Sequence, residues 1–80
     1  MKIPRDIPGR ELAKALAGLG YAVTHQTGSH MRLTTRRGGE HHITIPAARP
    51  IHVGTLNAIL HDVAAHHGMS RQDLLTALFG

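Results

Sequence analysis

The sequence predicts an α+β fold in the order α-β-β-β-α, with a short extra C-terminal helix. The sheet should be three-stranded and antiparallel, with the helices on one face. Three patterns predict it. Apolar residues recur at helical spacing near the start and again toward the end. Between them lie a run rich in β-formers and two runs that alternate apolar and polar. Short glycine-containing segments separate these runs, as antiparallel neighbours require.

Met1 to Pro8, with Pro4 and Pro8, reads as an extended lead-in. From Gly9 the pattern turns helical. Leu12, Ala13, Leu16, Ala17 and Leu19 form an apolar stripe, Arg10, Glu11 and Lys14 lie opposite, and Gly20 suits a C-terminal stop. Tyr21 to Thr27 is the first strand, and Gly28-Ser29 is a turn. His30 to Thr35 is the second strand: Met31 and Leu33 point one way, His30, Arg32 and Thr34 the other. Arg36 to Glu40 is a loop. His41 to Pro46 alternates again, with Ile43 and Ile45 opposed to His42 and Thr44. Ala47 to Val53 is a linking segment. Gly54-Thr55 opens a second helix carrying Leu56, Ile59, Leu60 and Val63, which Gly68 stops. Ser70 begins the third helix with a capping-box-like Ser70–Asp73 pair and a Met69–Leu74 staple. The apolar strand face needs a cover, and the amphipathic helices supply it.

Eighty residues are read as one domain, 1–80, with a modest core. Cysteine is absent, which excludes disulfides and thiolate chemistry. There is no apolar run of spanning length and no charged-then-apolar leader, so the expected location is the cytoplasm, away from membranes. The net charge of +4 comes from nine Lys+Arg against five Asp+Glu, and the last helix keeps only Arg71 of the nine. That bias toward the N-terminal and middle parts favours an anionic partner. Tyr21 and Phe79 are the only aromatic residues of the Phe, Trp and Tyr class, so no stacking platform for single-stranded bases can be built. RNA would be held through phosphates, 2′-hydroxyls and shape.

The residue that stands out is His30, in the run Gln26-Thr27-Gly28-Ser29-His30-Met31-Arg32-Leu33. An imidazole exchanges a proton near neutral pH, and an arginine two residues along the same face can hold a phosphate. The plainer reading is a surface histidine at a strand start. Gly28 serves the turn, and Ser29 stabilises it without acting as a nucleophile. Arg36-Arg37 is a candidate phosphate clamp, and Lys2, Arg5 and Arg49 are candidates of the same kind. The pairs His41-His42 and His66-His67 are adjacent in sequence and should point apart. Asp62 and His66 could hold a surface metal, but two ligands fall short of a zinc site. His42 could face His30 across the sheet as a second acid.

Several stretches together resemble the HicA toxins, the mRNA-cleaving halves of type II toxin–antitoxin pairs. They are Gly9-Arg10-Glu11-Leu12, Leu19-Gly20-Tyr21, Gln26-Thr27-Gly28-Ser29-His30, Ile43-Thr44-Ile45-Pro46, and Val53-Gly54-Thr55-Leu56 with Ile59-Leu60. The Gly-Ser-His triplet with Gly-Thr-Leu downstream is the specific part. The resemblance implies a fold similar to a double-stranded-RNA-binding domain. It also implies a small ribonuclease that uses no metal or cofactor, and a HicB-type antitoxin that blocks its active face. The family's catalytic histidine falls on His30; the residues themselves, apart from the resemblance, make Gly28, Ser29, Arg32, Arg36 and Arg37 the expected RNA contacts. Two positions depart from the family pattern: Pro8, where a small capping residue is frequent, and His61, where a lysine or arginine is common.

Cleavage of RNA without a metal uses the substrate's own 2′-hydroxyl. A base takes its proton, the oxygen attacks phosphorus, and an acid protonates the departing 5′-oxygen. A histidine, with an ordinary pKa of about 6.5, can do either. Lacking the second group costs roughly 10²–10⁴-fold in rate. The competing classes are a non-catalytic RNA-binding module and a protein-interaction domain that docks a partner on its polar sheet face.

Overall fold

The structure is a computed structural model and describes residues 5–47 and 49–80. Lys2 and the first half of the proline-punctuated lead-in therefore lie outside the described residues. Five strands and three helices form among those described.

Strand β1 (Ile7–Pro8) runs directly into helix α1 (Gly9–Ala17). Pro8, extended at φ −62° and ψ 141°, is the N-cap residue and supplies no side-chain bond to it. The stripe read from sequence is the buried face: Leu12 and Leu16 are fully buried. Gly9 is buried because α1 starts against the end of a strand. A Cβ there would collide with the Pro46 carbonyl, so only glycine fits this approach.

The sheet consists of β2 (Ala22–Thr27), β3 (His30–Thr35) and β4 (His41–Pro46), antiparallel and in that order. The register sets Thr27 opposite His30, His30 opposite Pro46, Arg32 opposite Thr44 and Thr34 opposite His42. The period of two then sorts the faces. Met31, Leu33, Ile43 and Ile45 are buried under the helices, while His30, Arg32, His42 and Thr44 are exposed. Thr35 also points inward. Its hydroxyl donates to the Leu19 carbonyl at 3.1 Å and accepts from the Arg37 amide at 3.2 Å, so it is buried without an unmet bond. β2 is an edge strand, exposed along its length, with a bulge between Val23 and His25 that adds twist.

Beyond β4 the chain forms β5 (Pro50–Ile51), paired antiparallel with β1 through Ile7–Ile51 and Pro8–Pro50. Sequence reading gave lead-in and linker here, because a two-residue ladder has no period to detect. Its effect is positional. It brings the start of α2 (Val53–His67) back beside the start of β3. Leu56, Ile59, Leu60 and Val63 of α2 are buried against the sheet. Gly68 closes that helix at φ +63°. In α3 (Arg71–Phe79), Ser70 Oγ accepts from the Asp73 amide at 3.0 Å, the Ser70 half of the predicted capping box. Leu74 and Leu75 seal the core, with Met69 packed against the same cluster.

The predicted α+β order is thus observed, with two short strands added and one boundary changed. Tyr21 precedes β2 and is buried, because its ring turns under the sheet.

Candidate functional site

β2 and β3 are joined by the two-residue turn Gly28-Ser29. Neither residue has positive φ, and a Cβ on Gly28 would meet nothing within 4 Å. The turn therefore does not need this glycine, contrary to its expected turn role, and Gly28 leaves open space beside His30. The turn is tied down from the other side: the Ala47 amide donates to the Ser29 carbonyl at 2.7 Å. This bond continues the β3–β4 ladder one step past Pro46 and holds the start of β3 against the segment leading to β5.

His30 stands exposed at that start, with Ser29 Oγ 3.0 Å from its Nδ1. For Nε2 to take up a proton, the neutral ring must carry its hydrogen on Nδ1, and Ser29 Oγ is placed to accept it. Ser29 thus orients the ring, and Nε2 has no hydrogen-bond partner among the described residues. Ser29 and His30 line a cavity of about 350 Å³, whose other walls include Arg49, Ile51, His52 and Thr55.

Arg32 is one pleat along the same face, about 7 Å from His30 by strand rise. It is exposed and lines a broader, shallower groove on the outer sheet face together with His25, Arg36 and His42. Arg37 does not join them. Its Nη1 donates to the Gly18 carbonyl at 3.1 Å, so it caps the end of α1 on the other side of the sheet. Ser29 and His30 thus share the cavity, Arg32 and Arg36 share the groove, and Arg37 stands apart. The possible pairing of His42 with His30 is overturned. The register sets His42 opposite Thr34, with Thr34 Oγ1 2.7 Å from its Nδ1. That is four residues along β3, about 13 Å from His30.

The two adjacent histidine pairs differ from each other. His41 and His42 do point apart, but His66 and His67 converge, with ring centroids 4.8 Å apart. They gather under the sheet with His41, whose ring stacks on His66 at 4.3 Å. Tyr21 Oη lies 2.7 Å from His41 Nδ1 and 3.2 Å from His67 Nε2. His41 Nε2 lies 3.2 Å from Asp62 Oδ1, and His66 Nε2 lies 2.9 Å from the Arg37 carbonyl. One proton arrangement satisfies every bond. All three rings carry hydrogen on Nε2, His67 donates to Tyr21, Tyr21 donates to His41, and His41 donates to Asp62. Burial, reinforced by the Asp62 charge, pushes the Tyr21 phenol up to about 12. Burial, with His66, His41 and Arg37 nearby, holds His67 below the usual histidine value. This network is architectural: it bonds the sheet to the C-terminal end of α2. Asp62 and His66 are both engaged in it. Among the described residues no group of three His, Asp or Glu side chains is arranged to hold a metal ion.

The Gly-Ser-His turn and the start of α2 both lie within the stretch that a known family matches. A family model described as the HicA toxin of bacterial toxin–antitoxin systems matches residues 9–64. The chain belongs to the HicA toxin family. The match runs from the first residue of α1 to Ala64 in α2, and so contains the sheet, His30 and the cavity. No curated protein and no solved structure matches the chain. Family membership makes the protein a toxin of a bacterial toxin–antitoxin pair. Of the two departures from the family pattern, Pro8 is the uncapped N-cap of α1 and His61 is exposed on α2. No helix among the described residues is long and apolar enough to cross a membrane.

Proposed function

We propose that this HicA toxin is an mRNA endoribonuclease that needs no metal, and that His30 is its catalytic histidine. The observation that carries the reading is the placement of His30. It is exposed at a cavity mouth, its ring is oriented by Ser29, and Arg32 stands one pleat away. His30 Nε2 takes the proton of a substrate 2′-hydroxyl. The 2′-oxygen bonds to the adjacent phosphorus, the bond to the 5′-oxygen breaks, and that oxygen leaves with a proton given by an acid or by water. The products are a 2′,3′-cyclic phosphate and a 5′-hydroxyl.

Arg32 bonds the phosphate and offsets the charge that builds on it. Arg36 receives the strand further along the groove, and the open space at Gly28 admits the backbone close to His30. Arg37 is the weakest of the five expected RNA contacts, since its guanidinium is engaged at Gly18. Recognition by phosphate and 2′-hydroxyl suits a fold of double-stranded-RNA-binding type and a chain with so few aromatics. The partner is a HicB-type antitoxin that covers this sheet face, and the site of action is cytoplasmic mRNA. Incubation of the purified chain and a His30→Ala variant with a long RNA in EDTA tests the reading. Cleavage by the first alone supports it. RNA bound by both and cut by neither would favour a non-catalytic binding module.

A further inference from the structure

The cavity at His30 holds a second titratable side chain that nothing in the Gly-Ser-His motif announces. His52 lines the same cavity as His30, and Arg49, between them in sequence, lines it too. We propose that His52 is the second proton-transfer group of this site, and that Arg49 and the first turn of α2 act with Arg32 to hold the scissile phosphate between the two histidines. The proposal rests on the assignment of His30 and extends it.

Three observations carry it. Among the described residues, His30, Arg49 and His52 are the only charged or titratable side chains lining the cavity. A cavity of about 350 Å³ has room for one phosphodiester linkage with its flanking sugars, not for a folded RNA element. Two imidazoles and a guanidinium around such a volume are the groups that in-line displacement by a 2′-oxygen requires.

The second observation is the start of α2. His52 is its N-cap residue in extended conformation, yet no described side chain caps the helix and no acidic residue stands in its first turn. The first intrahelical bond is from the Leu56 amide to the His52 carbonyl, so the amides of Val53, Gly54 and Thr55 stand ahead of the ladder. Thr55 lines the cavity, which sets this turn at its wall. The amides and the helix dipole then favour an anion there.

The third is mechanical. The Ala47–Ser29 bond ties the His30 end of β3 to the segment that follows β4, and the separate two-stranded β1–β5 sheet anchors the residues just before His52 to the strand that enters α1. His30 and His52 come from segments far apart in sequence, yet the fold brings both to the wall of one cavity.

The chemistry balances with these two groups. His30 accepts the 2′-hydroxyl proton as the 2′-oxygen–phosphorus bond forms. Protonated His52 gives its proton to the 5′-oxygen as the phosphorus–oxygen bond breaks. The turnover leaves His30 charged and His52 neutral, and exchange with water restores both.

The test uses the full chain and two RNA substrates: an ordinary oligonucleotide and one with sulfur in place of the bridging 5′-oxygen at one site. A thiolate leaves without protonation, so the second substrate needs no acid. His52→Ala and His52→Asn are compared, since asparagine supplies a side-chain N-cap that histidine does not, yet cannot transfer the proton. The expected result is a 10²–10⁴-fold loss on ordinary RNA for both variants and near-full rate on the sulfur substrate. The alkaline limb of the pH–rate profile should also vanish. His30→Ala should be slow on both substrates. Full activity of His52→Asn on ordinary RNA, or an equal loss on both substrates, would overturn the role of His52 while leaving His30 in place. Full activity of His30→Ala, or an uncut RNA with the unaltered chain, would overturn both assignments.

Discussion

Replacing Tyr21 with phenylalanine isolates the hydroxyl at the centre of the histidine network. The ring stays, and with it the edge-on contacts to His41 and His67 at 5.9 and 5.6 Å. Two hydrogen bonds go, and the partners left behind, His41 Nδ1 and His67 Nε2, are only partly open to water. At about 0.5–1.5 kcal/mol for each bond, the loss is about 1–3 kcal/mol. An 80-residue domain has roughly 4–12 kcal/mol in all, so this is a substantial share. The melting temperature at neutral pH should fall by about 5–20 °C, measured by circular dichroism or calorimetry. A second reading follows from the Tyr21 phenol, held up at about 12 in the folded chain against 10.0 ordinarily. The folded state keeps that proton more tightly than the unfolded one. The stabilisation is complete below pH 10 and fades as pH rises through 12. Tyr21→Phe should therefore remove part of the alkaline loss of stability. A melting temperature within 2 °C of the parent and an unchanged alkaline limb would refute the network as a source of stability.

Other outcomes follow from the same geometry. Gly9→Ala should destabilise by roughly 3 kcal/mol or more, since the new methyl meets the rigid Pro46 carbonyl and not a movable side chain; urea unfolding would read it. His67 is held below its ordinary value, so the unfolded chain binds the extra proton first. Its stabilisation is present above about pH 6.5 and is lost as pH falls toward its folded value. His67→Gln should flatten thermal stability over that acidic range. Arg32→Ala should leave the melting temperature unchanged, because no described group bonds its guanidinium. It should weaken binding to a 2′-O-methyl RNA and reduce the slope of log K against log salt by about 0.7, measured by filter binding.

What was legible in the sequence was whatever repeats locally. The strict alternation of His30 to Thr35 and His41 to Pro46 gave both strands, their faces and the exposure of His30 and Arg32. The stripe of α1 and the Ser70 cap were equally plain. Long-range pairings were not. The β1–β5 ladder is two residues long, so neither segment carries a period, yet it determines that His52 and Arg49 end beside His30. The network around Tyr21 joins residues separated by 20 and 46 positions, and nothing local distinguishes those histidines from solvated ones. Arg37 looked like a partner of Arg36 because they are neighbours, but adjacent residues leave the loop in different directions. The one available hint at His52 was its position just before the Gly-Thr-Leu start of α2, where an uncapped helix end invites an anion.

The central claim is that His30 cuts RNA without a metal, and end-group analysis of RNA treated in EDTA tests it most directly. The unaltered chain should yield 2′,3′-cyclic phosphate and 5′-hydroxyl ends, and His30→Ala, folded to the same melting temperature, should yield none above background. Cleavage at equal rates by both chains, or cleavage that EDTA abolishes, would contradict the account.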